Sequence, residues 1–288
     1  MDFLVGIVIV LFSLFIGILP FFLLHVLADL LAFFLLRILK YRKEVVMANL
    51  RESFPELDDK ELKAFVGRYY KNLADVILEG VKAFTMSSRQ IIRRHRVINP
   101  ERVIPFFEAG KSVIVCSGHC ANWEWGSMSG AIHFKRPTVV MYKPLNNKWA
   151  DKYLRWTRAR FGSYLASIYK TAHVFNAYVP KATLFILAAD QSPSNLRKAF
   201  WIDFLGQETA FLHGPEHYAR KHDLPVFYVD IKRIKRGYYE LEFELITEQP
   251  TTLEKGVLTQ RYADMLARTI RRSPENWLWS HRRWKHTR

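Results

Sequence analysis

The stretch VIVCSGHCANWEWG, residues 113–126, places an imidazole and a carboxylate, His119 and Glu124, five positions apart. A β-branched apolar run ends at a Ser-Gly turn, and the histidine follows at once. If a helix starts there, the Glu124 side chain is expected to fold back toward the ring. A carboxylate that accepts a hydrogen bond from one ring nitrogen fixes the tautomer and stabilises the imidazolium. The other nitrogen is then free to take a proton from a hydroxyl. No G-x-S-x-G nucleophile elbow occurs in the chain, so the hydroxyl to be activated would belong to a substrate. Direct attack on an activated acyl group is the natural chemistry, with backbone N–H groups at the helix start available to an oxyanion. A His-x4-Glu match alone is weak. A strand before it, a helix after it and Gly118 at the turn give it weight.

Alternating apolar runs and amphipathic segments must position these residues. A helix is expected over residues 59–84, opened by Asp58 and Glu61 as a capping box. Strands are expected at 91–98, 112–116, 138–142, 183–189, 226–232 and 238–245. Helices are expected at 101–109, 121–134, 148–161, 215–222 and 253–272. Such alternation points to an α/β fold, a mainly parallel sheet flanked by helices, in one domain from 51 to 288. Ligands of open α/β sheets sit beyond the carboxyl ends of the strands. His119 lies just past one such end and Asp190 just past another.

Lys and Arg number 43 against 27 Asp and Glu, a net charge of +16 that suits an anionic partner. The two cysteines, Cys116 and Cys120, flank His119. They do not form a disulfide framework, and a lone Cys-x-x-x-Cys is a poor metal signal; reduced thiols packed beside a strand end are the better reading. Residues 3–24 carry no charge, enough for one transmembrane helix, and lack the basic start and cleavage site of a signal peptide. Pro20 kinks or ends that helix. Residues 25–50 keep helical apolar spacing but add Arg37, Lys40, Arg42 and Lys43, as in a basic amphipathic helix along a membrane surface. The expected organisation is an anchor at 1–24, a surface helix at 25–50 and the body in the cytoplasm by the positive-inside rule.

The 148–161 helix carries Lys152, Arg155, Arg158 and Arg160, with Arg155 and Arg158 three apart on one face. That face suits a phosphate or a carboxylated sugar, or else is simply solvated. In the C-terminal segment, Trp277, Trp279 and Trp284 alternate with basic residues, a pattern that fits a lipid headgroup interface as well as nucleic acid.

Together these segments resemble the lysophospholipid acyltransferase-like enzymes of lipid A biosynthesis, the late lauroyl and myristoyl transferases. The resemblance runs over nearly the whole chain. It rests on YRKEVVMANLRESFPE, SGHCANWEWG, MYKPLNNKWADKYLRWTRARFG, LAADQSP with FWIDFLGQETA, and WLWSHRRWK, in that order. It implies a glycerolipid acyltransferase-like fold, with His119 as general base, Glu124 as its partner, and Arg158 and Asp190 as functional residues. Asn122, Lys143, Arg155 and Arg160 join them as candidate substrate contacts. Lys143 stands where the family has an arginine, which keeps charge but loses the planar fork. The acyl donor would be acyl carrier protein or acyl-CoA, the acceptor a phosphorylated glycolipid in the bacterial inner membrane. No metal, organic cofactor or nucleic acid is implied. Two rivals remain at this level. One is the same fold acting on another lipid, such as a mannosylated phosphoinositide or an aminolipid. The other is a membrane-tethered basic module without chemistry, which explains the charge but not the His and Asp at strand ends.

Overall fold

The computed structural model describes residues 2–286 and 288. In chain order the elements are α1 (Asp2–Ile18), α2 (Phe21–Phe33), α3 (Lys43–Ser53), α4 (Asp59–Lys82), α5 (Ser88–Arg94), β1 (His95–Val97), α6 (Ile104–Glu108), β2 (Val113–Ser117), α7 (Gly126–Phe134), β3 (Thr138–Tyr142), α8 (Lys148–Ala159), β4 (Ser163–Ser167), α9 (Thr171–Tyr178), β5 (Leu184–Ala188), β6 (Phe200–Phe204), β7 (Gln207–Phe211), α10 (Gly214–His222), β8 (Val226–Lys235), β9 (Tyr238–Thr247) and α11 (Val257–Arg272). Seven strands form one sheet in the order β1-β9-β8-β2-β5-β3-β4, and β6 with β7 forms a separate hairpin. From β8 across to β4 every pairing is parallel; only β9 runs antiparallel to its neighbour β8. The mainly parallel α/β reading therefore holds.

The central strand β2 is buried at every position, and apolar from Val113 to Cys116, because both faces are covered. Ile114 and Cys116 pack into one core with α4, α9, α10 and α11, while Val113 and Val115 pack into another with α6 and α7. Both cysteines are free and buried. The capping box at α4 is present, with Glu61 N–H donating to Asp58 Oδ1 at 2.7 Å and Asp58 N–H to Glu61 Oε2 at 3.0 Å. The strand expected at 91–98 is mostly helix: a second capping box, Ser87 with Gln90, starts α5 and leaves only His95–Val97 extended.

The amino-terminal expectation needs correction. The uncharged stretch 3–24 is not one helix, because α1 stops at Ile18 and Pro20 is the extended residue before α2. Among the described residues, the helix long and apolar enough to cross a membrane is instead Phe21–Ile38, α2 with its π-helical last turn. The surface helix expected at 25–50 is also divided. Lys40 and Arg42 adopt left-handed conformations (φ 46° and 51°), which separate α2 from α3.

Helix α2 lies antiparallel along α4. His25 Nε2 is 3.2 Å from Glu79 Oε1, Arg236 joins Asp29 to Asp75, and Tyr70 OH donates to the Tyr41 carbonyl at 2.5 Å. The three contacts pair residues that rise along α2 and into the turn after it with residues that fall along α4.

Candidate active site

Strands β2 and β5 are parallel neighbours in a register that sets Ser117 against Ala188. Continued two residues past the strand ends, the same offset sets His119 against Asp190, and the Ala189 N–H still donates to the Ser117 carbonyl at 3.2 Å. His119 Nδ1 meets Asp190 Oδ1 at 2.6 Å, and the His119 backbone N–H donates to Asp190 Oδ2 at 2.7 Å. Trp277 Nε1 also donates to Oδ2, at 2.8 Å. Burial opposes ionisation of Asp190, yet the His119 charge and these donors hold its pKa down at about 2. An ionised carboxylate only accepts hydrogen bonds, so the Nδ1 proton of His119 is the one donated and Nε2 carries the lone pair. The His119 side chain is 18% exposed and the Asp190 side chain 2%, so the imidazole meets solvent while its partner does not.

Glu124 does not fill the place expected of it. Its Oε1 accepts from Trp123 Nε1 at 3.0 Å and its Oε2 from Arg158 at 2.5 Å. The reason is local: residues 123–125 form a 3-10 turn before α7, and this turns Glu124 toward α8 rather than toward the imidazole. Burial opposes its charge, but Arg158 lowers its pKa, so it stays ionised. For His119, burial disfavours the imidazolium, and the charge and hydrogen bond of Asp190, with a smaller contribution from Glu124, outweigh that and raise the pKa. Glu124 thus acts on the His119 ring through space, and Asp190 through a bond.

The loop from Gly118 to Trp125 is held tightly. A Cβ on Gly118 would lie 2.6 Å from Leu266 Cδ1, so a larger residue there requires the buried Leu266 side chain to shift. Ala121 is buried at a φ of 48°, and its N–H donates to the Asn276 carbonyl at 2.8 Å. Asn122 caps the 3-10 turn through Oδ1 and donates from Nδ2 to Glu79 Oε2 at 2.6 Å. It is wholly buried, so its expected role as a substrate contact does not hold. Glu79, also wholly buried on α4, accepts in addition from Tyr239 OH at 2.8 Å and faces His25. Sequence reasoning passed over Glu79. Its only signal was an acidic residue amid the apolar stripe of α4.

The remaining candidates separate by position. Arg160 caps the end of α4, donating to the carbonyls of Ala83 and Phe84, and is structural. Such carbonyls have no partner within their own helix, which explains why a cation is drawn there. Lys143 and Arg155 are exposed and form no ion pair among the described residues. Trp277 and Trp279 are buried rather than interfacial, and Trp284 donates to Thr209 Oγ1 at 2.8 Å; the headgroup reading of these tryptophans is replaced by core packing around Asp190. Gln191 Nε2 lies 3.3 Å from His119 Nε2.

Beside His119 opens an apolar cavity of about 230 Å³ between α4, α7 and α8. Leu73, Val76, Ile77, Met128 and Leu154 line it, and Trp123, Glu124 and Arg158 stand among its walls. The Trp123 ring packs edge-on against the His119 ring, with centroids 5.3 Å apart. An imidazole poised to accept a proton thus adjoins a hydrocarbon-lined groove with a fixed ion pair in its wall.

The profile of the bacterial lipid A biosynthesis acyltransferases matches residues 2–286. The chain belongs to that family. A similar protein is the lipid A biosynthesis lauroyltransferase of Escherichia coli (strain K12), 23% identical over 253 residues that cover 87% of this chain and 81% of that protein. The protein is accordingly an acyltransferase.

Removal of Glu79 would leave Asn122, Tyr239 and His25 facing an unfilled acceptor site. Glu79→Ala is expected to destabilise the fold by about 3 kcal/mol, measured by denaturant unfolding in detergent. Unchanged stability would rule out its role in holding the His119 loop.

Proposed function

We propose that the protein transfers a fatty acyl chain from a thioester, that of acyl carrier protein, to a hydroxyl of a lipid A precursor, with His119 as general base and Asp190 as its buried partner. The observation that carries this reading is a partly exposed imidazole whose Nδ1 is tied to a buried carboxylate and whose Nε2 meets the Gln191 amide, beside an apolar groove. Nε2 takes the proton of the acceptor hydroxyl, and the oxygen attacks the thioester carbonyl. The tetrahedral intermediate expels the thiolate, which receives the proton back from the imidazolium. The groove holds the acyl chain. Arg158 donates one N–H to Glu124 and keeps further N–H donors, which suit the developing oxyanion or an acceptor phosphate. Lys143 and Arg155, exposed near the same end of the sheet, suit the phosphates of the acceptor or the acidic surface of the carrier protein. The N-terminal helices hold the enzyme at the bacterial inner membrane with the catalytic domain on its cytoplasmic face.

His119→Ala is expected to lower kcat by at least about 100-fold in an acyl-transfer assay with an acyl thioester and a lipid A precursor. Because the neutral ring is the active form and its pKa is raised, the wild-type rate should climb with pH through a midpoint above the ordinary histidine value and then level off. Retained activity in His119→Ala would remove the mechanism.

Narrowing the groove with Leu154→Trp is expected to favour shorter acyl chains. The rate for long chains should fall about fourfold for each methylene that loses its place, from about 0.8 kcal/mol per buried CH₂. An unaltered chain-length profile would show that the acyl chain lies elsewhere.

A further inference from the structure

We infer that α1 and α2 both lie in the plane of the membrane, sunk into one leaflet, and that neither crosses it. This rests on the membrane reading above and specifies its topology.

The break between the helices is built into the fold. Pro20 ends the hydrogen-bond ladder, and the carbonyls of Gly17 and Leu19 are taken up by Lys82 Nζ at 2.9 and 2.6 Å, with Thr85 Oγ1 on Gly17 at 2.9 Å. Helix α1 is docked at both ends: a Cβ on Gly6 would touch the Trp149 ring at 3.4 Å, and one on Gly17 would overlap Thr85 at 2.2 Å. Its 17 residues span only about 25 Å, short of a hydrocarbon core of roughly 30 Å.

Helix α2 is long enough to span, but its inner face belongs to the body. Leu24, Ala28 and Ala32 are buried, and His25 and Asp29 on the flank reach Glu79 and the Arg236–Asp75 pair. Since α2 lies along α4, a spanning α2 would carry Asp75, Lys82 and Arg236 into hydrocarbon. Charges there are excluded unless they line a water-filled path.

The outer faces show the opposite character. Phe12 and Phe15 on α1 and Phe22, Val26 and Leu30 on α2 are exposed apolar side chains. At the far end of α2, Arg37, Lys40 and Lys43 are exposed. That is the anatomy of a helix lying at an interface, with basic groups toward anionic headgroups and apolar groups in the acyl region. The occupant of this face is one leaflet of the bilayer. The acyl groove between α4 and α8, the two helices on which α1 rests, then sits beside the lipid from which the acceptor comes.

Single cysteines introduced as Asp2→Cys at the start of α1 and Glu254→Cys on the body test this, since Cys116 and Cys120 are buried. Both are treated with a membrane-impermeant maleimide in inside-out and right-side-out inner-membrane vesicles, and acyl transfer is measured in the same vesicles. The expected result is that both positions react in inside-out vesicles and both lose reaction in right-side-out vesicles. Reaction of Asp2→Cys only in right-side-out vesicles, with Glu254→Cys reacting only in inside-out ones, would overturn the in-plane seating. Release of the protein by alkaline washing would also overturn it. In either case the acyl-transfer rate reports separately on the proposed chemistry.

Discussion

The pairing of β2 with β5 is the constraint on which the site depends. Two parallel strands in fixed register keep their offset for as long as both chains stay extended, and here the offset persists two residues beyond the sheet. It brings together two residues 71 positions apart and places an imidazole against a carboxylate without any helix or lid between them. A one-residue slip of either strand would turn its side chains to the opposite face and separate the pair. The burial of β2 on both sides makes such a slip costly, so core packing and the geometry of the His119–Asp190 pair are one and the same requirement.

Two carboxylates lie near one histidine, and the fold gives them different work. Asp190 is buried, accepts three hydrogen bonds and grips the ring. Glu124 is neutralised by Arg158 in the wall of the apolar groove. An unpaired Glu124 beside the groove would burden it with an uncompensated charge; the ion pair removes that cost and leaves the guanidinium with donors to spare. Behind both, Glu79 ties the His119 loop to α4 and, through His25, to α2.

Much of this was legible in the residues. The alternation of buried strands and helices gave the α/β sheet, and the capping box at Asp58 gave the start of α4. His119 and Asp190 were both read as lying past strand ends, but their pairing was not, because strand order is a long-range property that local pattern does not carry. Sequence proximity points to Glu124 as the partner of His119, whereas the 3-10 turn at residues 123–125 sets its carboxylate against Arg158 and Trp123. Asn122 and Arg160 were polar residues in functional surroundings whose real partners, Glu79 and the end of α4, come from a distant segment. The tryptophans of the C-terminal segment read as interfacial because burial by a separate hairpin, β6–β7, has no local signature.

The most direct measurement of the central claim is the titration of the His119 ring by ¹⁵N NMR in the wild type, in Asp190→Asn and in Glu124→Gln. A ring bonded to Asp190 should carry its neutral-state proton on Nδ1, and Asp190→Asn should lower its pKa more than Glu124→Gln does. If Glu124→Gln instead gave the larger fall, or if the neutral proton sat on Nε2, the His119–Asp190 pairing would be wrong.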